Sequence, residues 1–327
     1  MKFGLAPTQS ENTMGVMLSQ AALAEDLGFD TLWAQEHHSM GMMYPSPLIT
    51  LTALAGCTNT VGLGTNMLLL PLYAPVRVAE EAAMVDICSG GRLRLGVSAG
   101  YSEADFLAEG VDLRDRARRM REGVALIRRL WTEETVSAKS SDYVLQDFRL
   151  FPKPLQQPYP PIYMGGTVPA SIKRAARLGD EFLISATQSI EQIRTQIAIY
   201  HEALRGLGLD PDQKHIAVNR VVHVANNRRG KEAAAEAFAQ QYLHYYKTWG
   251  HQTITALDGR ALSPADVAAE HFIVGEPLEC IEKVAAYARL GIEHICCFME
   301  FGKTDLELAE ASLRRFGEKV LPHFDGS

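Results

Sequence analysis

Short apolar runs alternate with stretches of helical periodicity from one end of this 327-residue chain to the other. This alternation is typical of successive βα units, in which parallel strands lie side by side and helices cover them. Eight such units predict a closed (β/α)8 TIM barrel with insertions at its C-terminal face, and we treat residues 1–327 as one domain. The predicted strands are Lys2 to Ala6, Thr31 to Gln35, Val61 to Leu70, Arg92 to Val97, Pro161 to Met164, Glu181 to Ser185, His215 to Ala225 and His294 to Glu300.

Two predicted helices end in the same way. Thr13 to Leu27 is followed by Gly28, and Pro277 to Leu290 is followed by Gly291. Glycine accepts the left-handed conformation that commonly ends a helix, so both glycines are expected to do so. Use of one helix-turn-strand pattern early and late in the chain supports a repeated unit.

Two regions exceed what a minimal barrel needs. The first is Glu133 to Leu150 with its proline-rich continuation, Phe151 to Pro161, and the second is Lys247 to His271. Long loops at the C-terminal face of a barrel usually cover or shape a site. We therefore expect the second region to be a lid.

Composition narrows the partners and the compartment. The net charge of −7 argues against nucleic acid or an anionic membrane as partner. The arginine-rich stretch 114–129 has acidic residues interleaved, which is typical of a solvated helix face or a subunit contact. Five cysteines without a CxxC pair, no signal segment and no apolar run of transmembrane length predict a cytoplasmic protein with reduced thiols.

The second predicted strand ends in Glu36, His37 and His38. Catalytic side chains of (β/α)8 barrels lie at the carboxyl ends of the strands, so titratable residues there are candidates for catalysis. Glutamate and histidine are also metal ligands, but the ends of strands 1, 4, 5 and 6 lack further histidine or aspartate, so we predict no metal site. His223 and His294 lie within late strands and are expected to be core residues.

Several blocks, in this order, resemble the bacterial luciferase-like flavin monooxygenase superfamily over Phe3 to Phe316. Each block alone is weak, but the ordered set is specific. The blocks are Leu27-Gly28-Phe29-Asp30-Thr31-Leu32-Trp33 leading into Glu36-His37-His38, then Leu63-Gly64-Thr65 through Pro71 to Pro75-Val76-Arg77, Ser89-Gly90-Gly91-Arg92-Leu93-Arg94-Leu95-Gly96, Gly100, Asp105-Phe106 and Leu126-Ile127-Arg128-Arg129-Leu130-Trp131.

The resemblance implies a catalytic role for His37, which would lie beside the flavin and move a proton during the reaction. Glu36 would orient His37 or tune its pKa. The alternative is that Glu36 and His38 only hydrogen-bond the rim of the barrel. The resemblance also implies a cis peptide bond between Asn66 and Met67 at the flavin site.

The strand-4 end departs from luciferase itself. Ser98 and Ala99 stand where luciferase has a reactive cysteine and a phosphate-binding arginine, so light emission is not implied. Ser98 and Tyr101 are still expected to line the cofactor, although an aromatic residue here can also serve packing.

Phosphate anchoring must then come from elsewhere. We expect it at the helix that follows strand 5, where Gly165, Gly166, Thr167 and Ser171 would offer backbone N–H groups and hydroxyls to a phosphate. Simple N-capping is the alternative for Thr167 and Ser171. A solvated position is favoured for Lys173.

The resemblance predicts a monooxygenase that uses reduced FMN to insert one atom of dioxygen into an apolar organic substrate. The chain has neither a GxGxxG fingerprint nor a P-loop, so we expect a separate NAD(P)H:flavin reductase to supply the reduced flavin. An apolar rim at Met40, Met42, Met43 and Tyr44 could hold the substrate or only fill a gap.

Three further expectations follow from the family. One alternative is hydride transfer with an 8-hydroxy-5-deazaflavin coenzyme, because the same superfamily contains such enzymes. Another is a non-catalytic flavin-binding subunit, against which the presence of His37 argues. A homodimer is also expected, with helices near strands 2 to 4 at the interface.

Overall fold

The computed structural model describes residues 1–10, 13–38, 43–248, 262–300 and 305–324. Its main sheet is parallel and closes on itself, as the sequence predicts. Eight strands form the ring in the order β1-β2-β3-β4-β7-β8-β9-β11, and β11 pairs with β1 to complete it. These strands are β1 (Lys2–Ala6), β2 (Thr31–Ala34), β3 (Gly62–Thr65), β4 (Leu93–Val97), β7 (Ile162–Gly165), β8 (Glu181–Ile184), β9 (Ile216–Val224) and β11 (His294–Phe298).

One strand was not predicted. β10 (Phe272–Gly275) pairs in parallel with the last part of β9, from Val221 to Val224. β9 is long because its first half belongs to the ring while its second half continues to β10. A four-residue apolar run cannot be distinguished by periodicity from the end of a helix, which is why the sequence did not reveal β10.

The prediction for β3 was too long. The strand ends at Thr65, and the predicted continuation to Leu70 is an irregular segment that leads into a 3-10 turn at Leu70–Leu72. Leu68 and Leu70 are buried in the core, but beyond Thr65 only an isolated bridge between Leu68 and Val97 continues the pairing, so the apolar run made the predicted strand too long.

Helices surround the barrel. α1 and α10 end as predicted, with Gly28 and Gly291 in the left-handed region. The helices are α1 (Met14–Asp26), α2 (Pro47–Ala55), α3 (Pro75–Cys88), α4 (Glu103–Ala108), α5 (Arg116–Thr132), α6 (Pro169–Leu178), α7 (Ile190–Gly206), α8 (Arg228–Thr248), α9 (Pro264–His271), α10 (Pro277–Ala288) and α11 (Leu306–Lys319).

The structure describes the two regions that exceed a minimal barrel to different extents. The first contains an antiparallel hairpin of β5 (Val136–Lys139) and β6 (Val144–Phe148), which lies apart from the barrel sheet. The second contains the end of α8 and all of α9. Most of the predicted lid, residues 249–261, lies outside the described residues.

The barrel interior is filled by a cluster around Trp33, which packs edge-to-face on Tyr163. Two strand glycines give the indole its space. A Cβ on Gly4 or on Gly64 would lie 2.3 Å from the Trp33 ring. The lumen is therefore packed at this level, and a site must lie nearer the carboxyl ends of the strands.

No helix within the described ranges is long and apolar enough to cross a membrane.

Candidate active site

Glu36 lies at the carboxyl end of β2 and its carboxylate accepts three hydrogen bonds. The donors are the Leu69 backbone N–H at 2.9 Å, the Tyr73 hydroxyl at 2.8 Å and Nε2 of His38 at 2.9 Å. The Glu36 side chain is fully buried, whereas that of His38 is 20% exposed. A buried carboxylate requires such partners because burial removes its hydration. Glu36 thus joins the end of β2 to the segment that follows β3.

The observed partner of Glu36 is His38. This geometry corresponds to the alternative in which Glu36 and His38 hydrogen-bond at the rim, and Glu36 does not need His37 to be satisfied. His37 is half-buried at the same strand end. Its catalytic role stays a prediction.

The charges around His38 favour the imidazolium. The hydrogen bond to Glu36 raises the pKa of His38 and burial opposes it, while the charges of Asp105 in α4 and of Glu109, which follows α4, add to the increase. For Tyr73, burial and then the Glu36 charge raise the pKa, so the phenol stays protonated and donates a hydrogen bond to Glu36. The cluster therefore pairs a carboxylate with a histidine that is more readily protonated than usual.

The segment after β3 contains the predicted cis peptide bond between Asn66 and Met67. Met67 lies against two glycines of neighbouring strands. Its sulfur would be 3.2 Å from a Cβ on Gly96, and its Cε 3.4 Å from one on Gly165. The Ser98 backbone N–H donates to the Leu68 carbonyl at 2.9 Å. The structure thus brings four predicted residues, Asn66, Met67, Ser98 and Gly165, to one region.

Across the barrel from this segment lies a residue that sequence analysis missed, Asn219 of β9. Nδ2 of Asn66 donates to Oδ1 of Asn219 at 2.7 Å, and Nδ2 of Asn219 returns a bond to Oδ1 of Asn66 at 3.1 Å. The available signal was weak, because Asn219 is one of three polar residues in the mostly apolar strand Ile216–Val224, together with Arg220 and His223.

The turn for which phosphate binding is predicted lies between β7 and α6, and its binding role stays a prediction. β7 ends at Gly165 and α6 begins at Pro169. The hydroxyl of Ser171 accepts from the Val168 N–H at 3.1 Å and donates to the Val168 carbonyl at 2.8 Å, which is a capping arrangement. A Cβ on Gly166 would be 2.6 Å from that hydroxyl oxygen, so this turn requires glycine. Lys173 is exposed, in agreement with the solvated position expected for it.

Three arginines gather beside this helix. Burial lowers the pKa of Arg174 in α6, and the positive charges of Arg121 and Arg116 lower it further. Nη1 of Arg116 donates to the Gly100 carbonyl at 3.1 Å, which places it at the end of β4. Among the described residues, neither Arg116 nor Arg174 forms an ion pair. Sequence analysis grouped Arg116 and Arg121 with a solvated helix face and did not single out Arg174.

The other five arginines in that stretch are not uniformly solvated, because the side chains of Arg118, Arg119 and Arg128 are only 16% to 27% exposed. They form ion pairs with acidic neighbours, at distances between 2.6 and 3.3 Å for their shortest contacts. The pairs are Arg114 with Asp112, Arg118 with Asp115, Glu122 and Asp142, Arg119 with Asp142, Arg128 with Asp180, and Arg129 with Glu133.

The structure also gives the exposure of the remaining candidate residues. Tyr101 is 38% exposed, and burial of its hydroxyl raises its pKa to about 12. His223 and His294 are buried, and desolvation lowers their pKa to about 4 and 3, which confirms them as neutral core residues.

Met43 is buried against Phe238 and Tyr242 of α8, so it fills a gap, while Met40 and Met42 lie outside the described residues. In the described part of the chain, no three histidine, cysteine or acidic side chains are grouped as metal ligands.

The parallel eight-strand ring with a buried carboxylate and two imidazoles at a strand end defines a (β/α)8 barrel of the enzyme type. Within that class, residues 1–294 match the model of the luciferase-like monooxygenases, and the chain belongs to that family. The predicted resemblance and fold are thereby confirmed.

The named relatives are oxidoreductases. The oxygenase component of the flavin-dependent trigonelline monooxygenase of Acinetobacter baylyi is 28% identical over 95% of this chain and 90% of its own length. The F420-dependent glucose-6-phosphate dehydrogenase of Amycolatopsis mediterranei is 27% identical, with coverage of 94% and 93%. The solved structure of a Streptomyces bottropensis monooxygenase superposes with a TM-score of 0.81 at 26% identity, covering 99% of this chain and all of that one. The chain is an oxidoreductase of this family.

Proposed function

We propose that the protein is the oxygenase of a two-component system, which uses reduced FMN and dioxygen to oxygenate an apolar organic substrate. The observation that carries the proposal is the Glu36 cluster, which holds His38 and the Asn66–Leu69 segment together at one mouth of the barrel. The trigonelline relative, named as an oxygenase component, supports the two-component arrangement.

The residues fit the phosphate end of the cofactor. Arg174 of α6 lies close enough to Arg116 and Arg121 of α5 for their positive charges to repel its own and lower its pKa, in addition to the larger effect of burial. A phosphate dianion would relieve that repulsion and accept charge-assisted hydrogen bonds. Arg116, Arg121 and Arg174 would therefore hold the phosphate, together with the Gly165–Gly166 turn.

The residues also fit a planar ring nearer the strand ends. Met67 and the glycines Gly96 and Gly165 would form one side of the ring's pocket. A Cβ on Gly96 would lie 2.0 Å from the Thr65 carbonyl oxygen, whereas one on Gly165 would only come into contact with Met67. Ser98 and Tyr101 at the end of β4 would border the same ring. We propose, from their positions, that these residues contact the cofactor ring.

When bound, reduced FMN supplies the electrons that activate dioxygen. The chain's own groups manage protons and water. Glu36 fixes the ring of His38 through Nε2 and raises the pKa of His38, so this imidazole accepts a proton more readily than a free one and could serve as an acid. His37, at the neighbouring position, would contact the cofactor or substrate, and the apolar surroundings would keep water out.

The main alternative is hydride transfer with an 8-hydroxy-5-deazaflavin. The arginine cluster would serve the phosphate of either cofactor, and the relative from Amycolatopsis mediterranei is named as F420-dependent. A third possibility, a non-catalytic flavin-binding subunit, predicts that His37→Ala leaves turnover unchanged.

The deciding experiment compares the two cofactors under anaerobic conditions. Reduced FMN and reduced 8-hydroxy-5-deazaflavin are titrated separately, and binding is followed by calorimetry. The FMN complex is then mixed with labelled dioxygen and a panel of apolar aldehydes, ketones and aromatics. Tight binding of FMN with one labelled oxygen atom in a product supports the proposal. Exclusive binding of the deazaflavin, without labelled product, contradicts it.

The proposed reductase can be tested in the same system. The purified protein alone should not oxidise NADH or NADPH, and turnover should appear when any NAD(P)H:flavin reductase is added. Direct oxidation of nicotinamide by this chain would remove the need for that partner.

A further inference from the structure

The amide pair of Asn66 and Asn219 spans the barrel. Counted from β1 around the ring, β3 is the third strand and β9 the seventh, so the two strands lie opposite each other. The two amides exchange hydrogen bonds at 2.7 and 3.1 Å and are 7% and 8% exposed. A hydrogen-bonded bridge between opposite strands closes the lumen at this level.

The pair lies one layer nearer the strand ends than Trp33. Gly64 faces the Trp33 ring, and Asn66 follows it by two residues on the same face of the chain. Ala217 belongs to the cluster around Trp33, and Asn219 again follows by two. Because side chains alternate along a strand, Asn219 faces the lumen above the packed layer. Asn66, which directly follows β3, meets Asn219 there through the two hydrogen bonds. The two amides therefore lie at the bottom of the space at the carboxyl ends of the strands, and we call the pair the floor of that space.

This floor is polar in apolar surroundings. Each amide has two N–H donors and about two acceptor positions, and the reciprocal pair uses one donor and one acceptor of each. One N–H and one acceptor position remain on each residue. The apolar side chains of the lumen cluster, which include Ala6, Leu183 and Phe298, cannot supply partners for them. A ligand group with an adjacent donor and acceptor would satisfy the remainder.

We propose that the Asn66–Asn219 pair recognises the uracil-like edge of the cofactor ring, where an imide N–H lies between two carbonyls. This inference rests on the proposed function. The apolar substrate has no such edge, whereas FMN and 8-hydroxy-5-deazaflavin both carry it. The amide pair thus sets how deep the ring enters the barrel and which end enters first.

The test uses a cofactor analogue methylated at the imide nitrogen, 3-methyl-FMN, which lacks the donor. Dissociation constants of FMN and 3-methyl-FMN are measured for the wild-type protein and for Asn219→Leu. Loss of one buried hydrogen bond should weaken binding of the analogue to the wild type by about tenfold. In Asn219→Leu this preference should fall to within about twofold, because the group that distinguishes the ligands is gone. The same pair of measurements with the deazaflavin and its 3-methyl derivative shows which cofactor uses the floor.

Two controls separate recognition from folding. Asn219→Ala repeats the test with a side chain that the same face of β9 already accepts at Ala217, in case the leucine variant does not fold. Asn59→Leu changes an exposed asparagine between α2 and β3 and should keep the wild-type preference. Thermal unfolding of each variant reports whether the bridge also stabilises the barrel.

The outcomes for the two proposals differ. A wild-type protein that binds neither cofactor contradicts the proposed function. A wild-type protein that binds a cofactor but does not discriminate against its methylated form contradicts the recognition by the amide pair. Discrimination that persists in both Asn219 variants also contradicts it, since another group must then exclude the methyl.

Discussion

At the scale of single residues, the site depends on how buried polar groups are satisfied. Glu36 is the clearest case, because its carboxylate joins an imidazole, a phenol and a backbone N–H from three places in the chain. The sequence placed Glu36 and His38 at a strand end. It could not reveal that Tyr73 and Leu69, more than thirty residues away, complete the same cluster.

Glu36→Gln tests the charge in this cluster. Because the hydrogen bond to Glu36 raises the folded-state pKa of His38, its loss should move that pKa back toward its ordinary value of 6.5. An NMR titration of the His38 ring should show a lower midpoint in the variant. Glu202→Gln, at an exposed position in α7, should leave the midpoint unchanged, and an unchanged midpoint in Glu36→Gln would refute the assignment.

The same pair predicts the direction of a stability change with pH. A raised folded-state pKa contributes stability that is fully present below 6.5 and is lost as the pH rises through the raised value. The difference in unfolding temperature between the wild type and Glu36→Gln should therefore shrink across that window. Thermal unfolding between pH 5 and 9 measures it, and a growing difference would contradict the sign.

At the scale of elements, the contacts between neighbouring βα units are specific in ways that periodicity does not show. Glu25 near the end of α1 accepts from the backbone N–H groups of Asn59, Thr60 and Val61, which connect α2 to β3. Burial acts to raise the pKa of Glu25, but these hydrogen bonds outweigh it and lower the pKa to about 2.

Glu25→Gln should loosen the junction of the first two units. We expect a loss of about 1–2 kcal/mol in the free energy of unfolding at neutral pH, because charged acceptors form the stronger hydrogen bonds. A lowered folded-state pKa contributes stability that is present above 4.5 and is lost as the pH falls toward 2. Urea unfolding at several pH values should show the variant and the wild type converging in acid, and a constant difference would argue against this role.

Packing of β2 on β3 depends on a missing side chain. Gly64→Ala would place a Cβ 2.3 Å from Cζ3 of Trp33, and overpacking of this kind costs about 1–3 kcal/mol. Gly206→Ala, at the end of α7, meets no atom within 4 Å and is the matched control. Denaturant unfolding should separate the two variants, and equal stabilities would show that Trp33 can move aside.

At the scale of the whole molecule, the expected homodimer can be examined on the outer face of α2 and α3, which pack on each other. Ile49 of α2 is 71% exposed and Met84 of α3 is 47% exposed. Both helices adjoin strands 2 to 4, near which the interface is expected. Exposed apolar side chains on adjacent helices are suited to a subunit contact.

Ile49→Glu should therefore convert a dimer to a monomer, since a buried unpaired carboxylate is costly at an interface. Light scattering after size-exclusion chromatography gives the mass directly. Leu278→Glu, at a 73% exposed leucine of α10, should leave the dimer intact. A wild-type monomer, or a dimer that survives Ile49→Glu, would contradict this interface.

The sequence by itself determined the barrel, the two glycine-ended helices and the placement of Glu36, His37 and His38, because strand and helix periods and end signals are local properties. The resemblance added the cis bond between Asn66 and Met67. Only the tertiary structure decided which imidazole Glu36 holds, that Asn219 meets Asn66 across the lumen, that Arg174 joins Arg116 and Arg121, and that β10 extends β9. Each of these depends on side chains that are distant in sequence and become neighbours only when the ring of strands closes.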